Sequence, residues 1–167
     1  MFARKNVFGF DFTRKNILAL LFLAVLPNLF GWLVLPSTPW GGKFHVFQIT
    51  IFLAAALFGW FGGAAAGVFG AVGTALALNN PWILAGNAIL GGVTGFLHTR
   101  RSMRLLYAVL IAYAVQLPWL YWSDVYLARM PVPVVQSIVV ALFVSNLVMA
   151  LAAEAILPLI RRGLHFQ

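Results

Sequence analysis

Carboxamide side chains are the residues of this sequence best suited to bind a small molecule, because they interrupt long apolar runs. Asn87, Gln116 and Asn146 each lie inside such a run. With a helical rise of about 1.5 Å per residue, Asn87 and Gln116 lie roughly 7–10 Å from the outer ends of their runs, and Asn146 lies nearer the middle. If the runs cross a membrane, these polar groups cost free energy unless they are paired. Carboxamides offer directional donors and acceptors, so we predict one outward-opening pocket for a neutral heterocycle or amide.

Further polar and aromatic residues lie at the ends of the apolar runs, where they could complete the same pocket. Indole rings add a stacking face, and Trp119 could wall the pocket or belong to an interfacial aromatic belt. The alternative for the carboxamides is hydrogen bonding between helices that only holds the bundle together. Lys43 could attract a carboxylate or be a solvated loop residue. The outer candidates are Trp40, Lys43, His45, Gln48, Asn79, Asn80, Asp124 and Gln136.

Motifs of catalysis and of metal binding are absent from the sequence. There is no HExxH, no G-x-S-x-G and no glycine-rich phosphate loop with a lysine. The three histidines, at positions 45, 98 and 165, are too dispersed for a tetrahedral metal site. The sequence contains no cysteine, so a thiolate ligand or a Cys nucleophile is excluded. We therefore expect a protein that is not an enzyme and that uses neither a metal nor another cofactor.

The composition identifies the elements that must position these residues. Of the 167 residues, 63% are hydrophobic and 8% are charged, whereas soluble domains have about 45–50% apolar and roughly 25% charged residues. The excess excludes a soluble globule and predicts an all-α polytopic membrane protein in a lipid bilayer. At about 20 residues per span, residues 1–167 hold at most six or seven spans in a single transmembrane domain. The net charge of +8 comes from clusters at the ends of apolar runs, which indicates membrane topology rather than nucleic-acid binding.

The number of spans depends on the stretch from His45 to Leu78, which could form one long helix or two short ones. Cytoplasmic loops collect Lys and Arg. One helix gives no charge bias, but a break at Gly59–Gly63 places nine basic residues on one side, against Lys43 and Arg129 on the other. Glycine tolerates the backbone angles of such a turn. We predict a multi-pass protein of the cytoplasmic (inner) membrane with both termini in the cytoplasm and six spans, approximately 17–35, 45–58, 63–78, 82–97, 105–122 and 134–160.

Small residues repeat at four-residue spacing in the predicted third and fourth spans, for example Gly63 with Gly67 and Gly91 with Gly95. This spacing bares backbone on one helix face and lets helices approach closely in a membrane. It indicates generic packing within the bundle, or a smooth surface on which another subunit docks.

Glu154 is the only carboxylate inside a predicted span and lies near its cytoplasmic end. It precedes Arg161 by seven residues, which is about two helical turns. This spacing favours an ion pair between the two side chains, or a charge that faces a partner, over a proton relay.

Most of the chain resembles one family of membrane proteins. The similar segments are GKFHVFQITIFLAAALFGWFGGAAAGVFGAVG, NNPWILAGNAILGGVTGFLHTR and the last span, SNLVMALAAEAILPLIRR. They contain an apolar span, a glycine turn, a small-residue helix, a Pro-containing turn and an A-x-x-x-G-G-x-x-G helix that ends in basic residues. This layout is similar to that of the substrate-binding S components of energy-coupling factor (ECF) vitamin transporters, which have six spans and cytoplasmic ends.

The resemblance implies a subunit that binds a vitamin-like solute from outside, with loop 36–44 acting as a lid. It also implies a transmembrane coupling subunit and ATP-binding subunits. The protein would tip within the membrane and release its solute inside when it is docked to them. The binding residues that it implies are Trp40, Lys43, Asn87, Gln116 and Asn146. With His45, Gln48, Asn80 and Trp119 added from the run ends, the predicted substrate-binding set is Trp40, Lys43, His45, Gln48, Asn80, Asn87, Gln116, Trp119 and Asn146.

Two other functions stay open at this point. A structural or scaffold membrane protein, for example of the cell-shape complex type, or an accessory subunit would have a solid core and grooves covered by lipid or a partner. A stand-alone secondary transporter or channel would be favoured by an internal repeat, and no convincing repeat is present. A wet pocket between the last three spans would favour the solute-binding subunit.

Overall fold

The computed structural model describes residues 12–30 and 45–164. Loop 36–44, with Trp40 and Lys43, and the end of the predicted first span lie outside these residues. The described residues form helices and contain no strand, which confirms the predicted all-α fold. The helices are α1 (Arg14–Phe30), α2 (Gln48–Gly70), α3 (Val72–Ala77), α4 (Trp82–Arg100), α5 (Leu105–Trp122) and α6 (Val132–Leu164), with a π-helical turn at Ser123–Leu127.

Three helical stretches of the described residues are long and apolar enough to cross a membrane. They are Gln48–Ala77, whose length is counted along the chain through Gly59, Leu105–Leu127 and Val132–Arg162. The first is also the most enclosed, since 67% of its most apolar window is buried, against 39% and 33% for the other two. These lengths and compositions are those of a membrane protein. The enclosed stretch lies at the centre of the bundle.

The chain folds back on itself at Gly59 within α2. Gly59 has φ 69° and ψ −159°, a backbone conformation that essentially only glycine adopts. A Cβ added at Gly63 would lie 2.9 Å from the Cβ of Ala55, although eight residues of continuous helix would separate the two by about 12 Å. Residues 48–58 and 60–70 are therefore the two arms of a helical hairpin, here called the α2 hairpin. The turn lies in the glycine segment for which the sequence predicted a break.

Bare backbone forms the contact between the second arm of the α2 hairpin and α4. A Cβ at Gly63 would lie 2.7 Å from the carbonyl carbon of Gly91, and one at Gly67 would lie 2.6 Å from the carbonyl carbon of Asn87. Real Cβ atoms essentially never come this close to another heavy atom. The small-residue spacing of the sequence thus serves packing inside the bundle, where it brings the two helix axes close together.

Helix α1 is attached to the far end of the hairpin by the side chain of Asn28. Its amide nitrogen donates to the carbonyl of Phe69 (2.8 Å), and its amide oxygen accepts from the N–H of Gly73 (2.7 Å). The kink between α2 and α3 frees these two backbone groups, and Asn28 satisfies both. Pro27 packs beside it against Gly70, where a Cβ would lie 2.8 Å from the proline ring.

Glu154 pairs with a different arginine from the one that the sequence suggested. Its carboxylate lies 3.1 Å from the guanidinium of Arg104, while Arg161 donates to the backbone carbonyl of Ala56 (3.4 Å). The expected pair of Glu154 with Arg161 is therefore wrong. Arg104 directly precedes α5, and the packing of α5 against α6 brings its side chain to Glu154 from the neighbouring helix.

Candidate functional site

A cavity of about 250 Å³ opens between the ends of several helices. Its wall comes from the start of α2, from α3 and the turn after it, from the start of α4, and from the end of α5 with the π-helical turn; α6 closes it. Six residues of the predicted binding set line it: His45, Gln48, Asn80, Asn87, Gln116 and Trp119.

The α2 hairpin brings the start of α2 and helix α3 to the same cavity. Gln48 at the start of the first arm and Thr74 in α3 line the same space. In a continuous helix these 26 residues would span about 39 Å. The reversal at Gly59 therefore builds one wall of the site from both arms.

Two glutamines on different helices, α2 and α5, have side-chain carbonyl oxygens without a hydrogen-bond partner among the described residues. The side chains of Gln48 and Gln116 line the cavity and are only 1% and 4% exposed. Neither Oε1 atom accepts a hydrogen bond. A buried polar group left unpaired costs about 1–3 kcal/mol. Hydrogen-bond donors from a bound molecule would remove this cost.

Asn80 and Asp124 form the polar end of the cavity. The amide nitrogen of Asn80 donates to a carboxylate oxygen of Asp124 (2.8 Å), and its amide oxygen accepts from the N–H of Trp82 (3.2 Å). The second bond caps the start of α4, since the first N–H groups of a helix have no partner within it. One side chain thus fixes both the carboxylate and the helix start.

Aromatic residues form the wall beside this polar end. The indole rings of Trp82 and Trp119 meet edge to face with centroids 6.4 Å apart, and the Trp119 indole N–H donates to the carbonyl of Trp82 (3.2 Å). Gly86 leaves room for the neighbouring side chains, because a Cβ there would lie 3.3 Å from Nε2 of Gln116 and 3.4 Å from Cδ1 of Trp119. The cavity therefore has a fixed aromatic face next to a carboxamide.

The remaining predicted residues differ in their placement. Asn87 lines the cavity, but its amide nitrogen donates back to the carbonyl of Ile83 (3.1 Å) in its own helix. Asn146 does not line the cavity; it is fully buried in α6, and neither of its amide atoms has a partner among the described residues. Its neighbour Ser145 accepts a hydrogen bond from the backbone N–H of His45 (3.1 Å). Trp40 and Lys43 lie outside the described residues.

Asp124 is the functional candidate that the predicted binding set left out. The sequence marked it as an outer polar residue in a loop, whereas the structure places it in a π-helical turn. The N–H of Ala128 donates to the carbonyl of Ser123 (2.8 Å), five residues back. Such wide turns are frequent at functional sites, and this one carries Ser123 and Asp124 into the cavity wall.

Comparison with known proteins gives no match: no family model, no curated protein and no solved structure is significantly similar to this chain. In the part of the chain that the structure describes, no group of three or more His, Cys, Asp or Glu side chains could hold a metal ion. The chemistry of the cavity is therefore the ground for a functional proposal.

We expect replacement of Asn80 by alanine to destabilise the protein by about 1–3 kcal/mol, because it leaves the buried Asp124 carboxylate without its donor and uncaps α4. Thermal unfolding of the purified protein in detergent measures this loss. The double variant Asn80→Ala/Asp124→Ala should lose less than the two single variants added together, because the pair is removed as a unit. Strict additivity would contradict the contact.

Proposed function

We propose that this protein is a membrane-embedded substrate-binding subunit for the uptake of a small, vitamin-like solute. The observation that supports this most is the cavity of about 250 Å³ with the unpartnered carboxamide oxygens of Gln48 and Gln116 on its walls. A packed scaffold would gain stability by filling such a space with apolar side chains. A binding site tolerates the cost because its solute supplies the missing donors.

We also propose that the protein crosses the cytoplasmic membrane six times, with both termini in the cytoplasm. The hairpin at Gly59 supports two crossings in place of one for residues 45–78. Its arms are short, but two thirds of the most apolar window is buried against neighbouring helices, which reduces the contact with lipid that would require a full-length span. In this topology the turn at 79–81 and the cavity face the exterior, and the basic residues of 98–104 face the cytoplasm.

Energy for uptake would come from other subunits. The sequence has no glycine-rich phosphate loop with a lysine, so this chain lacks that means of holding a nucleotide's phosphates. We propose that it works with a transmembrane coupling subunit and ATP-binding subunits, and that it catalyses no reaction itself. A structural or accessory subunit without transport is the alternative that the following experiment separates.

Replacing Gln116 by methionine should abolish solute binding and stabilise the empty protein. Methionine has a similar shape but no buried polar atom, so the empty protein should gain up to about 1–3 kcal/mol. Native mass spectrometry of protein purified from its own membranes should show a co-purified small molecule in the wild type and none in Gln116→Met. Thermal unfolding after removal of the bound molecule measures the gain.

Gln136→Met is the matched control, because Gln136 is exposed on α6. It should keep the co-purified molecule and unfold at the wild-type temperature. Wild-type protein without any bound small molecule or coupling subunits would favour the structural alternative. A bound molecule that persists in Gln116→Met would remove this cavity as its binding site.

A further inference from the structure

Only two ionisable side chains line the cavity among the described residues, namely His45 and Asp124. No lysine or arginine of these residues contributes to the wall. Asp124 is 6% exposed, and its one side-chain hydrogen bond comes from the neutral amide of Asn80. No basic side chain of the described residues forms an ion pair with it. The salt bridge between Arg104 and Glu154 lies outside this cavity.

Among the described residues, no lysine or arginine gives this carboxylate a counter-charge. Removing a charge from water costs several kcal/mol unless it is paired and hydrogen-bonded. One amide donor compensates a small part of this cost. A positively charged group on the solute would compensate much more, because buried charge pairs attract each other strongly when water is excluded.

The neutral groups around Asp124 favour the same kind of solute. The indoles of Trp82 and Trp119 form the adjoining wall, and the negative face of an indole attracts cations. The carbonyl oxygens of Gln48 and Gln116 are hydrogen-bond acceptors without donors. Carboxylate, amide oxygens and indole faces thus all complement a molecule that is positive or rich in N–H donors.

We infer that the cavity is built for a small planar heterocycle or amidine that carries a cationic nitrogen, which Asp124 binds beside the Trp82–Trp119 wall. This inference rests on the proposed solute-binding function and adds the chemical class of the solute. A cavity of about 250 Å³ is smaller than the roughly 300–1,000 Å³ of sites for drug-sized ligands. The space therefore suits a single substituted ring.

Three probes of nearly equal shape and different charge test the inference: benzamidinium, benzamide and benzoate. Their affinities for the purified full-length protein can be measured from the fluorescence of the tryptophans in the cavity wall. Wild-type protein should bind benzamidinium about tenfold more tightly than benzamide, and benzoate most weakly. In Asp124→Asn the advantage of benzamidinium over benzamide should fall by about tenfold, while the affinity for benzamide changes little.

Gln116→Met should weaken benzamidinium and benzamide alike, because it removes an acceptor and no charge. If Asp124→Asn does not fold, the order of the three probes on wild-type protein still decides. A wild-type preference for benzamide or benzoate, an unchanged preference in Asp124→Asn, or no binding of benzamidinium would each overturn the inference. The proposed function is tested separately, since a neutral or anionic co-purified molecule that is lost in Gln116→Met would uphold it while refuting the cationic class.

Discussion

Replacement of Gly91 by alanine should strongly destabilise the protein, whereas the same replacement at the neighbouring Gly92 should leave it as stable or slightly more so. A Cβ at Gly91 would lie 2.6 Å from the carbonyl carbon of Gly63 and 2.9 Å from a methyl of Ile51. Backbone cannot rotate aside as a flexible side chain can, so α4 and the α2 hairpin would have to separate. The clash lies at the centre of the bundle, where Ile51 is fully buried.

Gly92 faces a different direction on the same helix. A Cβ there would meet the Cβ of Ala64 at 3.5 Å and the carbonyl oxygen of Trp60 at 3.8 Å, which are ordinary van der Waals contacts. Alanine also lowers the conformational entropy of the unfolded chain and stabilises by about 0.4–1 kcal/mol where its backbone conformation is allowed. The two adjacent substitutions should therefore have opposite signs.

Thermal unfolding of the two variants in the same detergent measures the contrast. Overpacking costs about 1–3 kcal/mol and sometimes more, which lowers the midpoint of a chain of this size by roughly 6–12 °C at the upper end of that range. Gly91→Ala should also reduce the yield of folded protein from membranes. Equal midpoints for Gly91→Ala and Gly92→Ala would contradict the close contact between α4 and the hairpin.

Helix positions were the most predictable part of this fold, because apolar runs and their interruptions define them. The predicted span 105–122 coincides with α5 (Leu105–Trp122), and the predicted span 82–97 corresponds to α4. Other boundaries differ in both directions. The helix of the predicted span 45–58 begins only at Gln48, and the predicted span 63–78 is interrupted between α2 and α3. Helix α6 is longer than predicted, from Val132 to Leu164. Arginine side chains can extend a helix beyond its apolar run, since their long stems pack while the charge reaches water.

Position along a helix identified most of the residues that line the cavity, but not where the cavity ends. A fixed rise per residue placed Gln116 near the outer end of its helix, and it lines the cavity together with five other predicted residues. The same arithmetic placed Asn146 too, but the α6 residues that line the cavity end at Leu142, and Asn146 lies one helical turn farther along, where it is fully buried. Apart from Ser145, the sequence neighbours of Asn146 are apolar, so no polar pattern marks how far the cavity extends along this helix.

Asp124 was missed as a binding residue for a different reason. Residues 123–133 lie between the predicted spans 105–122 and 134–160, and a connecting segment gives no depth for its side chains. The helix instead continues through a π-helical turn, which is held by the hydrogen bond between Ala128 and Ser123. The partner of Asp124 is Asn80, 44 residues earlier in the chain. Such a contact depends on tertiary packing, which local sequence does not specify.

Single cysteines at both ends of the chain should be labelled only after the membrane is permeabilised, whereas one at the turn before α4 should be labelled on intact cells. The sequence contains no cysteine, so each introduced thiol is the only one present. Suitable exposed positions are Thr13, Pro81 and Arg162. A membrane-impermeant maleimide added to intact cells, followed by mass spectrometry, measures the labelling.

The expected result follows from the reversal at Gly59. If residues 45–78 crossed the membrane once, the chain would have an odd number of spans and its two ends would lie on opposite sides. Either Thr13→Cys or Arg162→Cys would then react from outside, and that outcome would refute the six-span topology. With two crossings, both ends share the cytoplasm, and only Pro81→Cys reacts on intact cells.

Labelling after permeabilisation is the control that each thiol is reactive, so protection of the ends can be assigned to the membrane rather than to burial. The effect is all or none because the bilayer excludes a charged reagent, and it places the mouth of the cavity on the side from which a solute would arrive.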